Sequence, residues 1–285
     1  SFPTRRSSDL IIASDPRRRL DGPINAERHV NIICVGAGAS GLLLAYKLQR
    51  HFQNFSLTIY EKNTEVSGTW WENKTLGNSS SVPQPRSFSI LTVTPLRCAC
   101  DVPAHNYTWS FEPKLDWSGV YASSHEIYTY FNDFARKYGL GKYIKVQHLV
   151  SGAHWNHQKG GYDVTVKDLK TGKDVHDHCD ILINASGILN NWRWPAIPGL
   201  DKYKGKLLHT ANWDDTVSLD GKHVGLIGNG RSNTPHDKEN TDETRSSGIQ
   251  VLPAIREKVR HLTTFIREPT WVSPVQGLEG HTYSP

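Results

Sequence analysis

The sequence predicts an α/β protein built around two Rossmann-like dinucleotide-binding folds, the second of them incomplete. Three observations carry this. An apolar strand pattern runs into Gly-x-Gly-x-x-Gly at residues 30–41, and a helix and a second strand follow it. A later strand pattern runs into Gly-x-Gly at residues 224–230, but its helix starts only after fifteen polar residues, 231–245. Between the two, short strand patterns and one capped helix suit an α/β layer arrangement.

Composition bounds the possibilities. At 285 residues the chain is long enough for two domains. Its apolar fraction of 37% includes nine Trp and eleven Tyr, enough for a globular core. The net charge is +5, much of it from Arg17, Arg18 and Arg19 in a Pro-containing leader. A run this short reads as a solvated tail, and no nucleic-acid partner is expected. No apolar run approaches the ~18 residues of a membrane span, and no signal-peptide pattern occurs. Four Cys make no disulfide framework, and Cys98-x-Cys100 has the wrong spacing for a redox pair. The reading is of reduced thiols in a cytoplasmic protein. "HDHCD" (His176 to Asp180) contains metal-ligand types but also reads as a strand start in a polar hairpin, and no metal is expected. Residues 1–27 form the leader. Residues 1–10, "SFPTRRSSDL", resemble a translated sequencing-library adapter and are set aside. There is no Met, and the chain stops at "GLEGHTYSP" without a closing element, as a translated gene fragment would.

The first unit starts at Val30 to Val35, a continuous apolar run of the kind a strand buried on both faces needs. Gly36 makes the tight turn, Gly38 lets backbone approach a pyrophosphate, and Gly41 lets the helix pack closely on the strand. The helix follows from Ser40, with Leu42 to Leu44, Ala45 and Leu48 as its buried face. Its N-terminus offers free N–H groups and a positive dipole end to phosphates. The next strand, Ser56 to Tyr60, ends in Glu61, twenty residues past Gly41, where an acid binds ribose hydroxyls. An acid there suits a ribose without a 2′-phosphate, so FAD or NAD.

The middle of the chain reads as a helix over Ser124 to Lys137, with a capping pattern at Ser123 and Glu126, stopped near Gly139. Strands are expected over Tyr143 to Val150, Gly152 to His157, Tyr162 to Asp168 and Val175 to Ile183. Pro195, Pro198 and Gly199 mark a linker.

The second unit starts at Val224 to Ile227. With residues 231–245 set aside, Gly228, Gly230 and Gly248 complete Gly-x-Gly-x-x-Gly, with Ser246 and Ser247 between them. A helix runs to about Val259, and a strand, His261 to Ile266, ends in Arg267, nineteen residues past Gly248. Arg there suits a 2′-phosphate through bidentate charge-assisted hydrogen bonds. The pair of sites implies FAD in the first and NADPH in the second, hence a flavoprotein reduced by NADPH.

Further motifs are "SGTWWENK" (67–74), "CACDVPAHNYTWSF" (98–111), "YASSHEIYTYF" (121–131), "CDILINASGILNNWRWPAIPGL" (179–200) and "YKGKLLHTANWDD" (203–215). Together they resemble flavin-containing monooxygenases, and among these the Baeyer–Villiger monooxygenases of fungal type. The most specific piece is the linker pattern F-x-G-x-x-x-H-x-x-x-W-[PD], met here as Tyr203, Gly205, His209, Trp213 and Asp214, with Tyr in place of Phe. The resemblance implies a FAD-binding domain over 28–195 and an incomplete NADPH-binding domain over 196–285, with the C-terminal part missing. It assigns Lys62, Thr69, Trp70, Asp101, Tyr107, Val150, Ala185, Ser186 and Gly187 to the FAD site. It also assigns catalytic roles to Asp101, His209 and Trp213. Packing at a domain hinge is the alternative for His209 and Trp213, and a helix or turn cap the alternative for Asp101. Trp70, Trp71, Trp109, Trp155, Trp192 and Trp194 read as packing residues.

The family's reaction passes hydride from NADPH to FAD and uses a C4a-peroxyflavin to oxygenate a small organic molecule. Trp213-Asp214 favours ketone oxygenation to an ester or lactone; S- or N-oxygenation and an inactive FAD-binding fragment are the alternatives. A disulfide reductase is disfavoured by the missing C-x-x-C. Residues 75–97 and 231–245 fall outside the resemblance, and each ends in Arg where a motif resumes. Both read as retained introns, and the chain carrying them is expected to be inactive.

Overall fold

The computed structural model describes residues 28–72, 99–100, 102–188, 190–214, 216–228 and 247–266. The leader, both inserts, Asp101, Gly230, Ser246 and Arg267 lie outside these residues. The chain divides into two compact units. One holds the residues up to Thr64 with Leu140–Ala185; the other holds Glu65–Gly139 with the residues from Ser186 onward.

In the first unit, β1 (Val30–Val35), α1 (Ala39–His51) and β2 (Phe55–Tyr60) form the expected strand–helix–strand. β1 and β2 pair in parallel from Val30↔Phe55 to Val35↔Tyr60. The middle of β1 (Ile32, Ile33, Cys34) is buried, which is why that run carries no polar residue after Asn31. α1 turns Gly41, Leu42, Ala45 and Tyr46 inward, one helical stripe, and carries Arg50 and His51 at the negative end of its dipole. β3 (Ile144–Lys145) borders β2, and β7 (Ile181–Asn184) borders β1, so the order is β3-β2-β1-β7.

A three-stranded antiparallel sheet joins this unit: β4 (His148–Asn156), β5 (Gly161–Asp168) and β6 (Asp174–Cys179). Two expectations are corrected here. The strands expected at 143–150 and 152–157 merge largely into β4, with a bulge between Val150 and Gly152. The single strand expected over Val175 to Ile183 breaks at Asp180 into β6 and β7, which belong to different sheets. Asp180 makes the hand-over: its Oδ2 accepts the Asn31 N–H at 2.8 Å and its N–H donates to the Asn31 carbonyl at 2.9 Å. An extended pattern runs through Asp180 unbroken, so periodicity could not reveal the change of partner. Ile33, Tyr60, Val164, Val166 and Cys179 form the core between the sheets. The HDHCD stretch lies in β6 and the break after it.

In the second unit, α2 (Thr69–Glu72) packs on α3 (Ser124–Lys137). α3 starts where its cap predicts, the Ser123 Oγ accepting the Glu126 N–H at 3.3 Å. The reciprocal half of the capping box is replaced. The Glu126 carboxylate accepts instead from the Ser118 N–H at 2.9 Å and the Ser118 hydroxyl at 2.7 Å. Trp109 packs into the buried face of α3, with ring centroids 4.0 Å from Phe134 and 5.1 Å from Phe131. β8 (His223–Ile227) and β9 (His261–Phe265) pair in parallel, and α4 (Ser247–Arg256) covers Leu226 with Val251, Ala254 and Ile255. α4 stops at Arg256 rather than near Val259, closed by a turn from the Lys258 N–H to the Ile255 carbonyl at 3.0 Å. Among the described residues, no helix is long and apolar enough to cross a membrane.

Candidate functional site

Gly36 leaves β1 with φ 101° and donates its N–H to the Tyr60 carbonyl at 2.8 Å. That φ is left-handed territory, which glycine reaches without a Cβ penalty. Gly38 is the N-cap of α1, in extended conformation, and no side chain caps it. The first intrahelical bond runs from Leu42 to Gly38 at 3.0 Å, and the first turn carries no acid. The leading N–H groups, around Ala39 to Gly41, therefore form a positive dipole end with no carboxylate in the helix's own first turn. Ser40 is exposed at this end. A Cβ on Gly41 would stand 2.1 Å from the Gly36 carbonyl oxygen, so the close approach of helix to turn demands a glycine.

Glu61 follows the last ladder pair and is buried. Its Oε2 accepts the Ala37 N–H at 2.8 Å and its Oε1 accepts the Asn63 N–H at 2.8 Å. The acid thus braces the glycine turn itself, a role the spacing rule does not foresee. Each carboxylate oxygen keeps a second lone pair for a hydroxyl donor. Beside this turn, the Ala185 N–H donates to the Val35 carbonyl at 2.9 Å, so β7 delivers Ala185 next to the end of β1. Lys62 is half-buried at the end of β2. Val150 packs its side chain on the core between the two sheets.

The second turn starts in the same way. Gly228 has φ 89° and donates its N–H to the Phe265 carbonyl at 2.9 Å. Ser247 and Gly248 open α4. The ladder refines the offset argument for Arg267. Glu61 directly follows the pair Val35↔Tyr60, whereas the residue directly after Ile227↔Phe265 is Ile266, which is exposed. Arg267 therefore corresponds in sequence to Lys62, one step beyond Glu61.

Elsewhere in the second unit, Ser67 and Gly68 turn with φ 84° and 52° into α2, which carries Thr69 and Trp70. Trp70 meets Tyr107 edge to face at 4.9 Å, and Trp71 meets Tyr128 at 5.4 Å. Two residues assigned to one site from separate motifs, Trp70 and Tyr107, are thus brought into contact. Gly187 takes φ 77° just after the half-buried Ser186.

His209 is buried against two tryptophans, which also meet each other edge to face at 5.5 Å. Its ring stacks on Trp192 at 4.6 Å with an interplanar angle of 25°, and meets Trp194 edge to face at 5.6 Å. The Ala211 N–H donates to its Nδ1 at 3.1 Å, which leaves the proton of the neutral ring on Nε2. Two Trp spaced by one residue gave no sign in the sequence of what they pack against. Trp213 is half-buried. The neighbouring Asp214 accepts from the Thr216 hydroxyl and N–H at 2.6 and 3.0 Å, and these bonds hold its carboxyl below the usual range.

Residues 28–251 match the family described as flavin-binding monooxygenase-like. The chain is 37% identical over 275 residues to the FAD-binding monooxygenase tazF of Aspergillus terreus, covering 94% of this chain and 42% of that protein. It is 30% identical over 247 residues to a Baeyer-Villiger monooxygenase of Streptomyces coelicolor, covering 86% and 39%. Its structure resembles that of an NADP+-bound cyclohexanone monooxygenase from a Rhodococcus species, with a TM-score of 0.64 at 26% identity over 88% of this chain and 40% of that one. Oxidised steroid monooxygenase bound to NADP matches with a TM-score of 0.61 at 28% identity over 86% and 40%. The chain spans about two-fifths of the length of these relatives. The family match runs through the Gly36 turn, the Trp-packed His209 and the start of α4, and the chain belongs to the flavin-binding monooxygenase-like family.

Proposed function

We propose that the chain is the nucleotide-binding part of a FAD- and NADPH-dependent monooxygenase that converts a small ketone to an ester or lactone. The net reaction consumes one O₂ and one NADPH with a proton, and releases NADP+ and water. The observation that carries this reading is the repetition of one turn: Gly36 and Gly228 hold the same φ region and the same bond to the end of the partner strand. The residues fit the cofactors. An uncapped, acid-free α1 terminus suits a pyrophosphate, and a buried carboxylate at the strand end suits a ribose diol. FAD would be held by Gly36, Gly38, Ser40, Gly41 and Glu61. NADPH would be held by Gly228, Gly230, Ser246, Ser247, Gly248 and Arg267. When bound, the two cofactors supply the reducing equivalents and the oxygen activation that such a reaction needs.

Packing of its ring against Trp192 and Trp194 supports a positioning role for His209 in the linker. Asp101 is the acid the resemblance places by the cofactors. Trp213-Asp214 and the Baeyer-Villiger relatives favour ketones over sulfides and amines. With residues 231–245 in place we expect NADPH binding to be weak and turnover negligible; removing both inserts is expected to strengthen binding. We assign the protein to the cytoplasm. The test is flavin content by absorbance, then NADPH oxidation against ketone and sulfide panels, with and without the two inserts. Colourless protein in every form would overturn the flavin assignment, and turnover on sulfides alone would move the protein to the heteroatom-oxygenating branch.

A further inference from the structure

Gln250, the fourth residue of α4, faces backbone that lies 151 positions away. Its Oε1 accepts the Ala99 N–H at 3.1 Å and its Nε2 donates to the Ala99 carbonyl at 3.1 Å. A primary amide carries donor and acceptor side by side, so it can pair with a residue at a strand edge as another strand would. The opposite edge of this segment is already closed. Ala99 bridges Ser123 in antiparallel fashion, and the Cys100 N–H donates to the Ala122 carbonyl at 3.0 Å. The Ala122 N–H donates to the Cys100 Sγ at 3.1 Å, and the Ala104 N–H donates to the Val120 carbonyl at 2.7 Å. Ala99 and Cys100 thus lie between a short ladder and one glutamine of the helix.

We infer that Gln250 is a positioning residue that couples nucleotide binding at the start of α4 to the order and placement of the backbone at Ala99 and Cys100. The inference rests on the function proposed above, in which the N-terminus of α4 receives the NADPH phosphates. A shift of α4 on binding moves Gln250 and, through two bonds, Ala99. Asp101 follows two residues later in the chain.

The test is backbone hydrogen exchange at Ala99 and Cys100, without nucleotide and with saturating NADP+. It is run on the full chain and on the form lacking residues 231–245, with NADP+ binding measured separately by equilibrium dialysis. In Gln250→Ala, loss of two hydrogen bonds should speed exchange there by about tenfold. Gln250→Glu keeps the side-chain length and the acceptor for the Ala99 N–H but faces the Ala99 carbonyl without a donor. NADP+ should slow exchange in the unaltered protein and leave it unchanged in both variants, although both still bind NADP+ within about threefold, since no phosphate contact is removed. Exchange in Gln250→Ala equal to that of the unaltered protein, or NADP+ protection that survives both substitutions, would overturn the coupling while leaving the proposed function intact. Failure of the unaltered protein to bind NADP+ in either form would overturn that function, and the coupling with it.

Discussion

Gly36 and Gly228 occupy the same place in two parallel strand pairs. Each follows the last ladder residue, takes positive φ (101° and 89°), and donates its N–H to the last carbonyl of the neighbouring strand at 2.8 and 2.9 Å. Beyond that point the two regions differ. α1 starts three residues after Gly36, and β1 and β2 lie inside a four-stranded sheet. β8 and β9 form a two-stranded sheet whose end exposes Ile227, Phe265 and Ile266, and α4 starts at Ser247. Strand pairing alone sets the first half of such a turn. The second half, which would meet a phosphate, depends on how soon the helix follows. α4 packs on Leu226 through Val251, Ala254 and Ile255, so core burial holds the helix on the strand pair in this chain.

The strongest way to break the first region is Gly41→Ala. One methyl group would lie 2.1 Å from the Gly36 carbonyl, and α1 must move away. We expect the unit to lose about 1–3 kcal/mol, as overpacked sites do, and flavin absorbance to disappear. Normal holoprotein from Gly41→Ala would show that the close approach is not required. The matching test of the second region is deletion of residues 231–245, which should raise NADPH affinity by at least about tenfold, since the field of a helix terminus fades within its first turn. Equal affinity in a titration of the two forms would mean that the insert folds clear of the phosphate site.

The strand ends sharpen the comparison further. In the form lacking both inserts, Arg267→Ala should raise the Michaelis constant for NADPH by about tenfold to a hundredfold, one charge-assisted contact, and leave that for NADH nearly unchanged. Ile266→Glu puts an acid at the register position of Glu61 and should shift preference toward NADH. If only Ile266→Glu changes the cofactor ratio, the 2′-phosphate is read at the first position after the strand and not at the second.

Much of this was legible in residues 30–61, because strand, glycines, helix and terminal acid each follow from a local rule. The cap of α3 was legible too, although Glu126 reaches Ser118 rather than its own N-cap. What stayed hidden depends on partners distant in sequence. Asp180 ends a strand by bonding Asn31, and Trp192 stacks on His209, and neither contact leaves a trace in periodicity. Register was hidden for the same reason: counting from the third glycine aligned Arg267 with Glu61, but helix and loop lengths differ between the units, and only the ladder gives the offset.

Glu61→Gln tests the brace under the first turn. The amide offers one oxygen where the carboxylate serves both Ala37 and Asn63, so one buried N–H faces an NH₂ group. Loss of a charge-assisted bond there should cost about 1–2 kcal/mol in stability and lower flavin affinity roughly tenfold. The second turn has Ile266 at this position and should show no corresponding loss on Ile266→Ala. Unchanged stability with lowered flavin affinity in Glu61→Gln would assign Glu61 to ribose contact without any bracing role.

The smallest effect separates the strands beneath the turns. Cys34 and Leu226 hold the penultimate ladder position of β1 and β8. Burial pushes the Cys34 thiol up to about 12 from its ordinary 9.0. Below pH 9 both folded and unfolded chains keep that proton, so the contribution of the group is fully present. As pH rises toward 12 the unfolded chain releases the proton and the folded chain keeps it, so stability is lost with rising pH. The loss attributable to Cys34 should reach about 1 kcal/mol by pH 10, within the limit of ~1.4 kcal/mol per pH unit for one proton. Burial also raises the Tyr60 hydroxyl and the Cys179 thiol, which add their own alkaline losses in the same unit. The measurement is therefore a difference: urea unfolding of the unaltered chain and of Cys34→Ala between pH 8 and 10. Cys34→Ala should be somewhat less stable at pH 8, because it leaves a small void, and should lose less as pH rises. Parallel lines for the two proteins would mean that the thiol under the Gly36 turn reaches solvent often enough to titrate normally.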